Sequence, residues 1–397
     1  MHPTLDMIQS KEVKLHALEK EMPSDEAVAL RRTYIETETK TTLTAIGSYT
    51  IPSENAVKRN IENMIGCVQI PVGVAGPLRI KGTYADGEYW IPLATTEGAL
   101  VASINRGASA ITKAGGADAR IFADGMSRAP VFAAKDIPHA YDAVHWIENN
   151  FELIKEEAEK TTSHGKLTAI TSATAGTSVY VRMVFATGDA MGMNMATIAA
   201  EAAAKVIEEH TGMKLIASSG NFCCDKKPAA VNTVLGRGKT VSAGIFLKDE
   251  IIKDVLKTDA DALIEVNTRK NLVGSARAAS LGFNAHAANT IAALFLATGQ
   301  DAAHVVEAST ALTTVDKAAG GVYVSVTIPD LPVGTVGGGT GLPCQQEALS
   351  MLGCTGDNTA GKFAEITAAA VLAGELSLLS ALAEGNLGKA HQTLGRG

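Results

Sequence analysis

Residues 167–188 read LTAITSATAGTSVYVRMVFATG, two runs rich in β-branched and aromatic residues on either side of an Ala-Gly pair. This composition predicts a β-hairpin. Residues 147–162 before the hairpin have the apolar spacing of an amphipathic helix, and residues 194–212 after it form a second helical pattern that stops at Gly212. Helix, hairpin and helix together predict a small α+β unit of the split βαβ, or ferredoxin-like, kind.

This small unit divides the chain into predicted parts. Residues 1–46 are charged and have helical periods, and residues 130–217 contain the small unit. Residues 47–129 and 218–397 flank it and are predicted to form a large domain, in which one helix starts near Thr96. The predicted fold class is therefore α+β, a large domain around a central helix with a small ferredoxin-like domain inserted in it.

Further helices are predicted at residues 284–297 and 364–383, with a glycine-rich segment at 333–341 between them. The alanine-rich runs are broken by polar residues well short of the roughly 18 apolar residues that suggest a membrane span. The N-terminal residues MHPTLDMIQSKEVK lack the apolar core of a signal peptide. These features predict a cytoplasmic protein.

Composition and charge exclude several classes of function. The chain has 397 residues, of which 46% are hydrophobic and 19% charged, as in a folded soluble protein of two or three domains. Its formal net charge of −7 gives no general attraction to nucleic acid or anionic lipid. An anionic ligand would need a local basic pocket.

The cysteines do not predict a disulfide framework or a metal site. There are five, an odd number, and the only close pair is Cys223 and Cys224 in SSGNFCCDKKPAA, residues 218–230. Adjacent cysteines close a disulfide only in a strained ring, and zinc would need a second pair of ligands nearby. We therefore expect thiols that pack under a loop, no bound metal, and a functional role for the lysines that follow.

Two known sequence patterns for phosphate binding can be compared with this chain. The dinucleotide fingerprint GxGxxG is absent from the sequence. Residues 356–363, GDNTAGKF, have the glycine and lysine spacing of a P-loop, but Phe363 stands where serine or threonine would bind magnesium. A P-loop hydrolase remains an alternative on this segment alone.

Residues 188–194, GDAMGMN, are more suggestive of a nucleotide. Asp189 follows a predicted strand, and the long helix that comes next places free backbone N–H groups beside it. Such a carboxylate could accept hydrogen bonds from ribose hydroxyls, and Gly192 would permit close approach to the backbone. An ordinary Asp-Gly turn is the alternative.

Six stretches together resemble one enzyme family. They are ENMIGCVQIPVGVAGPL (62–78), TTEGALVASINRG (95–107), ADGMSRAP (123–130), SSGNFCCDKKPAA (218–230), GQDAAH (299–304) and VGTVGGGTGLPCQQ (333–346). In this order they closely resemble 3-hydroxy-3-methylglutaryl-coenzyme A (HMG-CoA) reductases, most of all the class shared by archaeal enzymes and the catalytic part of eukaryotic ones. The resemblance runs from about residue 30 to the C-terminus and lacks the eukaryotic membrane anchor.

The resemblance implies a four-electron reduction of HMG-CoA to mevalonate and coenzyme A, with two successive hydride transfers. It implies that Lys226 is the cation that stabilises negative charge on the carbonyl oxygen, a task that suits a compact ammonium. It places Asp301 between Lys226 and Glu97, so that the carboxylates share a proton and Glu97 protonates the aldehyde oxygen. His391, near the C-terminus, would protonate the departing coenzyme A thiolate.

The resemblance also implies the binding residues. The carboxylate of the hydroxymethylglutaryl group calls for fixed cations and hydrogen-bonding neighbours, and the coenzyme A end is bound on the helix after Glu97. For the carboxylate these are Arg128, Lys227 and Lys270 with Ser219, Asp225, His286 and Asn289, and for coenzyme A they are Ser103, Asn105 and Arg106.

The cofactor implied is NADPH, bound by the small domain. The matching positions are Asp189, Met191, Gly192, Met193, Asn194, Val336, Gly337 and Gly338. Eukaryotic relatives offer Ser-Arg to the 2′-phosphate, whereas this chain has Thr162 and Ser163, with Lys166 close by. Despite that difference, NADPH remains the expected cofactor, with NADH as the alternative.

The family further implies a homodimer or a dimer of dimers with active sites between subunits, and no nucleic-acid or membrane partner. A catalytically inactive acyl-coenzyme A binding module of the same fold is the second alternative. It would have lost an acid, the cation or the histidine, and all four catalytic positions are filled.

Overall fold

The computed structural model describes residues 3–384, in which ten strands form one mixed sheet. The strands are β1 (Val72–Gly82), β2 (Asp86–Ala94), β3 (Ala117–Arg128), β4 (Val131–Ala133), β5 (Lys166–Ala175), β6 (Ser178–Ala186), β7 (Lys214–Ala217), β8 (Gly238–Lys248), β9 (Leu312–Ala318) and β10 (Gly321–Leu331). The order is β7-β4-β6-β3-β8-β10-β9, with β1 and β2 continuing from β3, and β5 beside β6.

Strand β3 belongs to both halves of this sheet. Its first part pairs antiparallel with β8, and its last three residues, Met126 to Arg128, pair with β6. Arg128 therefore lies where the large-domain strands meet the strands of the small unit.

The helices surround the sheet. They are α1 (Leu5–Gln9), α2 (Ser24–Thr39), α3 (Ser53–Arg59), α4 (Leu100–Lys113), α5 (Ile137–Asn149), α6 (Phe151–Glu159), α7 (Met193–Thr211), α8 (Ala230–Leu235), α9 (Asp249–Ile251), α10 (Ala260–Val266), α11 (Ser275–Arg277), α12 (Ala287–Thr298), α13 (Val305–Ala308), α14 (Pro343–Met351) and α15 (Ala360–Ala383). Segments of 3₁₀-helix occur at Leu15–Lys20, Ala302–His304 and Gly338–Gly341, and of π-helix at Ile252–Leu256 and Asn267–Gly274.

The sequence predicts a central helix without specifying which one, and in the structure that place is taken by α15, the helix predicted at 364–383. It is apolar and long enough to cross a membrane, but 78% of its most apolar window is buried among the other elements, so it is the core helix of the large domain. Helix α4 crosses it closely: a Cβ at Gly107 would lie 1.9 Å from the Ala373 carbonyl oxygen, so only glycine fits there. The buried Glu375 fixes the loop before α12, because its oxygens accept the backbone N–H groups of Ala285 and His286.

The predicted small unit has its own hydrophobic core, separate from the one around α15. Hairpin β5–β6 turns at Gly176, and α7 ends at Gly212 in a left-handed conformation, as expected. The helix predicted at 147–162 is instead two helices, because Asn150 leaves helical geometry and its side chain bonds to the Trp146 carbonyl.

The helix predicted near Thr96 begins later than expected, at Leu100. Ala99, just before it, has a φ of 70°, a left-handed conformation that a helix cannot contain. Residues 95–99 are therefore a turn, and Glu97 lies on that turn and not on the helix.

Candidate active site

An ion pair between Lys226 and Asp301 lies in a cleft of about 850 Å³. Lys226 Nζ is 2.8 Å from Asp301 Oδ2, and both side chains are partly exposed. The hydrogen bond and the charge of Asp301 raise the pKa of Lys226 despite its partial burial. Burial would raise the pKa of Asp301, but the bonds from Lys226 and the Ala303 N–H lower it overall. The pair is thus an ammonium facing a carboxylate.

A buried ion pair supports the loop that carries Lys226. Arg237 and Glu307 are fully buried, and Arg237 Nη1 donates to Glu307 Oε2 at 2.5 Å. The other Glu307 oxygen accepts the backbone N–H of Lys226. Lys226 has a φ of 58°, so this bond helps to hold a left-handed conformation that a lysine rarely adopts.

Asp225 joins the same network and was predicted only as a substrate contact. Its Oδ1 accepts from Arg237 at 2.9 Å and from His304 at 3.0 Å, and its Oδ2 is 3.6 Å from Arg128. Burial would raise the pKa of Asp225, but the hydrogen bond from His304 and the charge of Arg237 hold that pKa well below its usual range. Asp225 is therefore an anion that orders three cationic or donor groups around it.

Sequence reasoning missed Arg237, Glu307 and His304. His304 stands in the quoted stretch GQDAAH, three residues after Asp301 and three before Glu307. That spacing puts the three side chains on one face of a helical segment, which was the available signal. The sequence around Arg237 contains no such signal, since no neighbouring residue distinguishes a buried arginine from an exposed one.

Asp225, His304 and Glu307 offer three possible metal-ligand atoms within 4.8 Å of one another. The guanidinium of Arg237 already bonds to both carboxylates and supplies the compensating positive charge. A divalent cation would have to displace it, so this cluster is better described as an ion-pair network.

Three of the predicted substrate-binding residues, Ser219, Asp225 and Lys227, lie on the loop 218–230. Lys227 is exposed, and its Nζ donates to the Asp225 carbonyl at 3.0 Å. Ser219 lies 3.5 Å from the Cys223 sulfur. Cys223 is buried and Cys224 half-buried, both as free thiols, which agrees with a packing role under the loop.

Glu97 occupies a different place. It is exposed on its turn, and its side chain has one hydrogen bond among residues 3–384, from Asn289 Nδ2 at 3.3 Å. Asn289 lies in the first turn of α12, whereas Asp301 follows the last turn of that helix. The expected triplet with Asp301 between Glu97 and Lys226 is therefore not assembled within the described part of one chain.

The other predicted substrate contacts cluster on the Glu97 side. His286 is the N-cap residue of α12, and its Nε2 lies 2.7 Å from the Gly374 carbonyl oxygen. On α4, Ser103 and Arg106 both bond to Ser377 of the central helix. Two further predicted contacts are exposed: Asn105, which accepts the Gly76 N–H at 3.0 Å, and Lys270 on a π-helical segment.

The predicted cofactor residues line the Lys226 cleft. Met191, Gly192, Met193 and Asn194 form one wall, and Val336, Gly337 and Gly338 form another. Gly192 is the N-cap residue of α7, with a φ of 87°, and no side chain of residues 3–384 caps that helix, so its first N–H groups are available to an anion. A Cβ at Gly192 would meet the Thr187 side chain at 2.3 Å, which explains the glycine.

Asp189 is engaged elsewhere in this structure. Its two carboxylate oxygens accept the backbone N–H groups of Asn358 (2.6 Å) and Ala360 (2.9 Å) at the start of α15. Both of these N–H groups belong to the segment 356–363, so they are already bonded to a carboxylate. Phe363 of the same segment is buried. A P-loop at this segment is therefore unsupported.

Thr162 and Ser163 lie on the turn before β5. The Thr162 hydroxyl accepts the N–H groups of His164 and Gly165, while Lys166 forms an ion pair with Glu159 at 2.8 Å. The last predicted catalytic residue, His391, lies outside the described residues.

An ammonium–carboxylate pair and an uncapped helix N-terminus in one cleft suit an enzyme that stabilises charge on a substrate oxygen beside an anionic group. Comparison with known proteins specifies the class. The sequence model "Hydroxymethylglutaryl-coenzyme A reductase" matches residues 27–396. The chain belongs to the hydroxymethylglutaryl-coenzyme A reductase family, as the sequence motifs predicted.

Two archaeal relatives, both named 3-hydroxy-3-methylglutaryl-coenzyme A reductase, match over nearly their whole length. The protein of Methanothermobacter thermautotrophicus is 53% identical over 394 residues, covering 99% of both chains. That of Methanocaldococcus jannaschii is 54% identical over 398 residues, covering 99% of this chain and 98% of its own.

A solved structure shares the fold. The class II 3-hydroxy-3-methylglutaryl-CoA reductase of Streptococcus pneumoniae bound to NADPH has a TM-score of 0.69 and 19% identity, covering 93% of this chain and 100% of its own. The predicted α+β fold class is confirmed.

Proposed function

We propose that this protein reduces HMG-CoA to mevalonate and coenzyme A with two molecules of NADPH, at active sites built from two copies of the chain. Membership of the reductase family supports the reaction. The observation that supports this site is the Lys226–Asp301 ion pair. It lies in the same cleft as Gly337 and Gly338 and the uncapped N-terminus of α7.

Lys226 performs the central task. Reduction of a thioester or aldehyde carbonyl builds negative charge on oxygen, and a fixed ammonium stabilises that charge where it develops. Asp301 keeps the ammonium protonated and aimed, since their contact raises the pKa of Lys226. Arg128 and Lys227, near the same loop, attract the free carboxylate of the substrate.

The second copy supplies Glu97. Asn289, which contacts Glu97, is nine residue steps from Thr298, the last residue of α12. At about 1.5 Å per residue this places the Glu97 contact about 13 Å along the axis from the end where Asp301 begins the next segment. One Glu97 cannot bridge that length, so the proton donor of each site comes from the neighbouring chain, together with Asn289, His286 and the coenzyme A contacts on α4.

NADPH fits the remaining wall of the cleft and supplies the hydride. The free N–H groups at Gly192–Asn194 suit a pyrophosphate, and Gly337 and Gly338 leave the opposite loop without side chains. Thr162 and Ser163 offer hydroxyls to the 2′-phosphate. The small domain, residues 130–217, is thus the cofactor-binding domain, residues 47–129 and 218–397 bind substrate, and residues 1–46 are a helical extension.

Asp189 contributes indirectly, by fixing the GDAMGMN turn to the start of α15. His391 acts as the acid for the coenzyme A thiolate. We further propose that the enzyme works in the cytoplasm as a homodimer or a dimer of dimers.

A hybrid experiment tests both the reaction and the shared site. Purified protein should oxidise NADPH, followed at 340 nm, only when HMG-CoA is present. Glu97→Gln and Lys226→Met variants should each be nearly inactive. When the two variants are unfolded and refolded together, about half of the dimers are mixed, and each mixed dimer has one of its two sites intact, so about a quarter of wild-type activity should return. Mixed dimers that are co-expressed and purified through different tags on the two chains should have about half of wild-type activity.

The outcomes separate the two parts of the proposal. Wild-type protein that does not consume NADPH with HMG-CoA contradicts the reaction. Active wild type with no recovery in the tagged hybrid places Glu97 and Lys226 of one chain in the same site. NADH in place of NADPH, with Thr162→Ala and Ser163→Ala as paired variants, tests the cofactor choice.

A further inference from the structure

His304 is buried between the carboxylates of Asp225 and Asp301, and one of its two ring nitrogens makes no hydrogen bond within residues 3–384. Its Nε2 is 3.0 Å from Asp225 Oδ1. Within residues 3–384 its Nδ1 has no hydrogen-bond partner, although Asp301 Oδ2 lies 3.8 Å away. An unpaired polar atom in a fully buried ring costs free energy, so the position calls for a functional reason.

The proton positions follow from Asp225. The pKa of Asp225 lies well below its usual range, because the bonds from His304 and the charge of Arg237 outweigh the burial that would raise it. The ionised Asp225 can only accept, so the hydrogen of that bond belongs to Nε2. A bare Nδ1 lone pair would then face the Asp301 carboxylate, which is repulsive. A proton between Nδ1 and Asp301 Oδ2 turns the same approach into a charge-assisted contact.

The surrounding charges constrain where this proton can act. Besides Asp225 and Asp301, the ring faces Glu307, whose Oε1 is 3.7 Å from Nε2, and Glu307 is bonded to Arg237. Lys226 reaches the cluster through Asp301. Glu307 and Asp225 are both satisfied by the guanidinium, so Asp301 is the acceptor whose bonding changes if Lys226 moves.

We infer that His304 is a positioning residue for the reaction proposed above: Nε2 anchors Asp225, and the Nδ1 proton holds the Asp301 carboxylate in place when Lys226 turns from it toward the substrate oxygen. The inference rests on the proposed function. Asp301 Oδ1 accepts the Ala303 N–H in either position of Lys226. Without the His304 donor, however, Oδ2 would be left without a partner whenever the ammonium engages substrate, and this partly buried oxygen would draw Lys226 back.

Two substitutions separate the ends of the ring. His304→Gln places an amide near the Nε2 position and keeps the Asp225 bond, but it removes the Nδ1 donor. His304→Asn places an amide near Nδ1 and removes the Asp225 anchor. His145→Gln, on an exposed helix face, is the matched control and should leave the kinetics unchanged.

His304→Gln should lower kcat about tenfold, the size of one charge-assisted hydrogen bond, with KM for HMG-CoA nearly unchanged. The charge of His304 contributes to lowering the pKa of Asp301. Its removal should raise that pKa, so the acid limb of the kcat profile should move to higher pH. His304→Asn should instead raise KM, because Asp225 next to Arg128 loses its anchor.

A purely structural histidine gives a different result: both variants lose activity in parallel with stability, and the acid limb does not move. That outcome overturns the inference, as does wild-type kinetics in His304→Gln.

A readout that does not need activity keeps this inference separate from the proposed reaction. In protein labelled with ¹⁵N-histidine, His304 should show an exchange-protected Nδ1–H resonance that disappears in Asp301→Ala. A wild type with this resonance but no HMG-CoA reduction would contradict the reaction and leave the His304–Asp301 contact standing. An active wild type without it would contradict the contact alone.

Discussion

The two ends of helix α12 differ in how completely they are built. At the C-terminal end, Glu307 accepts the backbone N–H of Lys226, and Arg237 and His304 complete a buried network beside the Lys226–Asp301 pair. At the N-terminal end, Glu97 is exposed, and its side chain has one hydrogen bond among residues 3–384, from Asn289 at 3.3 Å. The first end is preorganised within one chain, and the second has the sparse bonding of a surface that is completed by something else.

This difference bears on catalysis. Preorganised charges stabilise a transition state because they need not reorient when the reaction occurs. Lys226 has that property before any partner arrives, even to the extent of a left-handed backbone held by Glu307. Glu97 does not, which is the expected state of a residue that acts across a subunit boundary.

Breaking the buried network should produce the largest effect. Arg237→Met leaves Glu307 buried without its partner and removes a bond from Asp225, so it should destabilise the protein by about 3–5 kcal/mol. The midpoint of denaturant unfolding measures this change. Adding Glu307→Gln to Arg237→Met should recover part of the loss, because the uncompensated charge is then gone.

The exposed pair Arg269–Glu265 is the control for this measurement. Both side chains are largely in solvent, and the pair spans one helical turn. Arg269→Met should leave the midpoint of denaturant unfolding close to that of the wild type, because an exposed ion pair is screened by solvent. An Arg237→Met variant that is no less stable than Arg269→Met would show that the network is not what holds this end together.

Removing the ammonium should have the next largest effect. Lys226→Met should lower the rate of both reductive steps by roughly a hundred- to a thousandfold, since no neutral side chain matches the charge that develops on oxygen. Thermal unfolding should stay close to wild type, because Lys226 is partly exposed and its loop is held through the backbone.

Lys227→Met, one residue along, is the matched variant. Lys227 is exposed and lies near the substrate carboxylate in the proposed site, so its loss should raise KM more than it lowers kcat. Wild-type turnover in Lys226→Met together with an inactive Lys227→Met would exchange the two assignments.

The sequence predicts individual elements of the fold better than the positions of the site residues around α12. The β5–β6 hairpin, α7 and the central helix follow from periodicity and from Gly176 and Gly212, and the structure confirms them. The separation of Glu97 from Lys226 could not be predicted, because it depends on which end of α12 each loop reaches in three dimensions. The break at Asn150 depends on one side-chain bond to the preceding turn.

The buried network was equally inaccessible to sequence reasoning. Arginine, glutamate and histidine are ordinarily surface residues, so Arg237, Glu307 and His304 carry no sign of burial. Only their mutual contacts make burial tolerable, and those contacts join loops that are 70 residues apart in the chain for Arg237 and Glu307. The motif residues were recognisable by resemblance, whereas their supports were not.

The smallest expected effect lies at the Glu97 end. Asn289→Ala removes the one side-chain contact of Glu97 without opening the core, so stability should change by about 0.5 kcal/mol or less. Activity should fall by about tenfold, the size of one hydrogen bond to a charged group.

Asn284→Ala provides the contrast. Asn284 donates to the carbonyl oxygens of Ser309 and Ala311 and caps α12 through Ala287, so this change should cost about 1–3 kcal/mol of stability. If Asn289→Ala destabilised the isolated chain as much as Asn284→Ala, the Glu97 end would be preorganised after all, and the contrast between the two ends of α12 would fail. If it left both stability and activity unchanged, Asn289 would not orient Glu97, and that residue would be positioned by the neighbouring chain alone.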